Sequence, residues 1–117
     1  MHQLDERLTS EQLNKKVTVE RKPAIVLFTG IWCGDCMEFA PTWRKWSAGK
    51  SASIYRVEVE RGGPEWNDWE LDEIPTVAVY SDGAEKGRAE GVILEEDLDA
   101  LLRLVTVSEP ANGGIRS

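Results

Sequence analysis

Thiols and imidazoles are scarce in this chain of 117 residues, which holds two cysteines, Cys33 and Cys36, and one histidine, His2. One histidine near the start leaves no imidazole to activate a cysteine for hydrolysis, and it deprives a zinc site of a usual ligand. Basic residues are also few: Lys and Arg number 14 against 21 Asp and Glu, a formal charge of −7. Nucleic acids and anionic membranes both demand a basic surface, so neither is an expected partner. The acidity serves solubility or selects basic partners. No run approaches the roughly 20 apolar residues of a membrane span. The opening MHQLDERLTSEQ has no apolar signal region, so a reducing cytoplasm is the expected compartment. No Gly-rich dinucleotide fingerprint is present.

What remains is a chain of globular character. Its hydrophobic content of 41% suffices for a core, and its length suits one domain without structural disulfides. That domain is expected over residues 1–107, as a monomer, with SEPANGGIRS leaving a flexible tail over 108–117.

LTSEQLNKK opens a helix, with Thr9 as N-cap and Gln12 completing a capping box. The run Ala24 to Thr29, bounded by Pro23 and Gly30, predicts a strand buried on both faces. Cys36, Phe39, Ala40, Trp43 and Trp46 then recur at helical spacing up to about Gly49, with Pro41 expected to kink that helix. SIYRVEVE alternates as a strand, with Tyr55, Val57 and Val59 on one side and Ile54, Arg56 and Glu58 on the other. RGGPEWNDWELDE predicts a turn and a short irregular helix starting near Pro64. IPTVAVYSDGAEKGRAEGV predicts a hairpin turning at Asp82-Gly83. LEEDLDALLRLV predicts a last helix with Leu94, Leu98, Leu101, Leu102 and Val105 on one face. The order implies an α/β fold, with a parallel pair from the βαβ portion and an antiparallel hairpin at the end.

The segment FTGIWCGDCMEFAP holds both cysteines. Cys33 falls where the strand has ended and the helix begins, and Cys36 lies one turn in. Residues three apart share a helix face at about 5–6 Å, close enough for a disulfide. Three uses are open to such a pair. As a structural staple it is weak, since a ring of about four residues contributes only around 2 kcal/mol in the chain-entropy estimate. As a metal site it is short of ligands. As a redox pair it is well placed, because unpaired N–H groups at a helix start stabilise a thiolate and can draw a thiol pKa from about 8.5 toward 7. Cys33 would then be the nucleophile and Cys36 the resolving thiol.

Trp32-Cys33-Gly34-Asp35-Cys36 resembles the Trp-Cys-Gly-Pro-Cys signature of the thioredoxin family. Pro41 sits at the family's helix proline, Ile74-Pro75-Thr76 matches its cis-proline context, and Gly91 its groove glycine. The resemblance runs from about Thr9 to Val105. It implies a thioredoxin fold, a central mixed sheet of four to five strands with helices on both faces. It implies a thiol–disulfide oxidoreductase that reduces protein disulfides, takes electrons from a thioredoxin reductase-like donor, and needs no cofactor or metal beyond the Cys33–Cys36 redox disulfide. Pro75 would face the cysteines and the Ile74 backbone would pair with an extended substrate. Trp32, Ile74, Gly91 and Val92 would form a flat apolar surface around Cys33.

The departures are specific. Leu27 stands where thioredoxins bury an aspartate, Thr29 replaces a tryptophan, Met37 a lysine, and Arg56 aligns with a buried lysine. Asp35 replaces the motif proline. It can stabilise the helix start, tune the Cys33 thiolate together with Gly34, or accept the proton of the resolving thiol. Trp66 and Trp69 either pack their segment onto the sheet or form a binding surface. The missing carboxylate at position 27 keeps a second reading open, a thioredoxin-fold binding module with slow redox turnover or none.

Overall fold

The computed structural model describes residues 6–48, 50, 53–60 and 62–106. The tail expected over 108–117 lies outside the described residues. Five strands form one mixed sheet in the order β1-β3-β2-β4-β5. They are β1 (Glu6–Arg7), β2 (Ala24–Thr29), β3 (Ile54–Glu58), β4 (Thr76–Ser81) and β5 (Ala84–Glu90), and the helices are α1 (Ser10–Lys15), α2 (Gly34–Ala48), α3 (Pro64–Asp68) and α4 (Glu95–Thr106). β3 runs parallel to both β1 and β2, while β4 is antiparallel to β2 and to β5. The sequence contained no signal for β1, which is two polar, exposed residues at the sheet edge.

β2 lies central because its side chains satisfy both layers. Ala24, Val26 and Phe28 enter the core under α1 and α3, whereas Ile25 and Leu27 enter the core under α2 and α4. The capping box at Thr9 forms in full. Beyond Lys15 the backbone widens into a π-helical stretch, Lys16–Glu20, and stops at Arg21 in a left-handed conformation. Helical periodicity alone could not separate this stretch from α1.

α2 continues through Pro41 as one helix. Its buried face carries Phe39, Trp43 and Trp46, with Trp43 and Trp46 stacked at 6.0 Å. The Trp46 Nε1–H donates to Asp99 Oδ1 at 2.9 Å, tying α2 to α4. On α4 the buried residues are Leu98, Leu101 and Val105. Leu94 is 52% exposed, contrary to the expected apolar face. It precedes the first turn, where its N–H donates to Asp97 Oδ2 at 2.9 Å, and Ile93 takes the buried place instead.

Trp66 of α3 and Trp69 just after it pack inward, which favours the packing alternative. Trp69 lies 5.6 Å from the Phe28 ring and 5.8 Å from the Tyr80 ring, and its Nε1–H donates to Ser10 Oγ at 2.7 Å. Trp66 packs partly buried against the same core. Burial pushes the Tyr80 phenol well above its ordinary value.

Arg88 of β5 fastens the segment after α3. It pairs bidentately with Glu85, reaches Glu90 at 3.4 Å, and donates to the Trp69 and Glu70 carbonyls at 3.0 Å. Its hydrogen-bonded Glu85 carboxylate holds the guanidinium above its ordinary value. Charge-assisted bidentate contacts of this kind are the strong ones. Arg88→Ala is expected to lower unfolding free energy in urea by about 2 kcal/mol, with Arg88→Lys recovering only part because an ammonium lacks the fork. An unchanged midpoint would show that the clamp is ornamental.

Candidate active site

The site forms where the chain leaves β2 and enters α2. β2 ends at Thr29, the turn Gly30-Ile31-Trp32 follows, and Cys33 occupies the last position before α2. The Met37 N–H donates to the Cys33 carbonyl at 3.1 Å, the bond that starts the helix. Cys33 and Cys36 are joined by a disulfide with Cα atoms 5.1 Å apart. The Cys36 backbone N–H donates to Cys33 Sγ at 3.1 Å. Orphan N–H groups of a first turn favour negative charge, and this one is aimed at a sulfur.

The opposite wall is the loop before β4. Cys33 Sγ lies 3.6 Å from the Ile74 carbonyl oxygen. The Ile74–Pro75 peptide bond is cis, and the Pro75 carbonyl accepts from the Gly91 N–H at 3.0 Å. Gly91 has φ +75°, a conformation that side chains oppose, and a Cβ there would meet the Glu73 carboxylate at 3.3 Å. Glycine is thus required where the chain leaves β5.

Burial separates the expected surface residues. Both cysteines are buried, Cys33 at 7% and Cys36 at 5% exposure. Trp32 is 96% exposed and Val92 87%, so these two offer apolar surface beside the disulfide. The Ile74 side chain does not join them. It is buried and packs toward Gly30, leaving its backbone as the part facing Cys33. Two further apolar residues are exposed, Ile31 at 66%, unnoticed in the sequence, and Met37 at 68%, noted there only as the replacement of a lysine. They flank the cysteine motif, and that adjacency was the available signal. Gly34 and Asp35 are exposed in the first turn of α2, Asp35 as the acidic residue that the dipole favours there. Leu27 is buried at 4% exposure. Among the described residues, no group of three His, Cys, Asp or Glu side chains could hold a metal ion, and no helix is long and apolar enough to cross a membrane.

A buried disulfide at a helix start, beside a cis-proline loop, is set up for thiol–disulfide exchange. Comparison with known proteins agrees. Residues 5–104 match the thioredoxin family. The chain belongs to that family. It is 32% identical over 79 residues to the mitochondrial thioredoxin O of Oryza sativa subsp. japonica, covering 65% of this chain and 45% of that protein. It is 29% identical over 91 residues to a probable thioredoxin-2 of Caenorhabditis elegans, covering 76% and 63% respectively. The chain therefore spans less than two thirds of the length of either relative. The crystal structure of oxidised thioredoxin O2 from Arabidopsis thaliana superposes with a TM-score of 0.71 at 19% identity, covering 91% of this chain and all of that one. The five-stranded mixed sheet with helices on both faces is the thioredoxin fold.

The turn leaves little room for side chains. A Cβ at Gly30 would lie 2.8 Å from Ile74 Cδ1 and 3.2 Å from the Val59 carbonyl, whereas one at Gly34 would meet nothing within 4 Å. Gly30→Ala is expected to cost about 1–3 kcal/mol in urea unfolding, and Gly34→Ala to stabilise by up to about 1 kcal/mol. Equal effects from the two would contradict the close approach.

Proposed function

We propose that this chain is a thioredoxin-like thiol–disulfide oxidoreductase that reduces protein disulfides, with Cys33 as nucleophile and Cys36 as resolving thiol. The observation that carries this reading is the Cys36 N–H held 3.1 Å from Cys33 Sγ at the start of α2. In the reduced protein the same amide stabilises a Cys33 thiolate. That thiolate attacks one sulfur of a substrate disulfide, and the other sulfur leaves as a thiolate. Cys36 then attacks Cys33 Sγ, re-forming the internal disulfide and releasing the second substrate thiol.

The substrate contacts follow from exposure and backbone geometry. Trp32 and Val92 supply apolar contact, and the Ile74 backbone beside Pro75 and Gly91 receives an extended segment. Asp35 and Gly34 tune the nucleophile from the first turn. No cofactor beyond the disulfide enters these steps. Two electrons from a thioredoxin reductase-like partner return the pair to the dithiol. The reading supposes a monomer in the reducing cytoplasm, where a dithiol stays reduced.

Insulin reduction in dithiothreitol tests this directly. Wild-type protein is expected to accelerate precipitation of the insulin B chain. Cys33→Ser should fall to the dithiothreitol background, and Cys36→Ser should accumulate a dithiothreitol-sensitive mixed disulfide on Cys33. Should Cys33→Ser match the wild type, the domain is a binding module.

A further inference from the structure

Resolution of the mixed disulfide demands that Cys36 lose a proton, yet Cys36 is 5% exposed and burial opposes ionisation of a thiol. The β2 residues facing α2 cannot take that proton, since Ile25 and Leu27 are apolar and Thr29 carries only a hydroxyl. Asp35 is exposed in the first turn.

A cleft of about 390 Å³ opens behind Cys36, between α2 and the ends of β2 and β3. Its polar lining consists of Thr29, Arg44, Arg56 and Glu58, with Cys36 and Leu27 at its apolar side. Asp35 does not line it. Glu58 is the one carboxylate among the described residues that does. Space of this size and polarity admits several waters. Register fixes the placement, because Glu58 pairs with Thr29 at the end of β2, immediately before the active-site turn.

We propose that Glu58 accepts the proton of Cys36 through water in this cleft. The inference rests on the oxidoreductase reading above. The Cys36 S–H proton passes by way of water to the Glu58 carboxylate, and the Cys36 thiolate attacks Cys33 Sγ. The Cys33–substrate S–S bond breaks as the Cys33–Cys36 bond forms. The protein pair is oxidised, and the substrate sulfur leaves with the electron pair and takes a proton from solvent. Arg7 of β1 is ion-paired with Glu58 at 3.0 Å, and Arg56 of β3 and Arg44 of α2 line the same cleft. Beyond β3, Glu60 lines with Glu58 the neighbouring groove beside Cys33.

The reduced protein is mixed with 5,5′-dithiobis(2-nitrobenzoate) in stopped flow between about pH 6 and 9. A first release of thionitrobenzoate reports attack by Cys33, and a second reports its displacement by Cys36. Glu58→Gln is expected to leave the first phase within about twofold and to slow the second by about 100-fold near pH 7, the low end of proton-transfer catalysis. The gap should close toward pH 9, where hydroxide takes the proton, and Glu58→Asp should recover most of the rate. A second phase unchanged by Glu58→Gln, or slowed equally at every pH, overturns the proposal while leaving the redox reading intact. A wild-type protein showing no second phase overturns both.

Discussion

One backbone amide pointed at one sulfur organises this molecule. The Cys36 N–H can reach Cys33 Sγ only if Cys33 is the residue from which α2 starts. The helix start in turn depends on where β2 stops. Five buried residues of β2 hold the strand between two layers, so the turn after Thr29 emerges at a fixed point at the end of the central strand. Gly30 lets that turn lie against Ile74, which brings the Ile74 carbonyl to the other side of the sulfur. The chemistry proposed for the pair is a consequence of strand, turn and helix meeting in this order.

The second wall of the site is held less directly. Arg88 grips the chain at Trp69 and Glu70, a few residues upstream of the proline loop, and Gly91 closes the loop's far side through the Pro75 carbonyl. Trp69 fills the space beneath, between Phe28 and Tyr80. The acidic stretch EWNDWELDE is thus a brace for the loop facing the cysteines. Trp69 acts through ring packing and a hydrogen bond to Ser10.

Much of this was legible in the sequence because it rests on local rules. The apolar run of β2, the helical spacing from Cys36 to Trp46 and the Thr9–Gln12 capping box all announced themselves within a few residues. The spacing of the cysteines and the Ile74-Pro75-Thr76 segment pointed to the family before any fold was known. Long-range arrangements were not legible. β1 has only two polar residues, and only pairing with β3 makes it a strand. Ile74 looked like surface because nothing local reveals that Gly30 sits against it. Leu94 fits the apolar spacing of α4 but falls one residue before the helix. The cleft that joins Glu58 to Cys36 depends on three elements far apart in the chain, and its opening cannot be read from any one of them.

The central claim is that the helix-start amide makes Cys33 a nucleophile at neutral pH. The most direct measurement is the pH dependence of iodoacetamide alkylation of the reduced protein, with Cys36→Ser used so that only Cys33 reacts. The account predicts a rate that reaches half its maximum near neutrality, at least about one pH unit below a peptide thiol at roughly 8.5. A midpoint at or above that of the peptide thiol would contradict it.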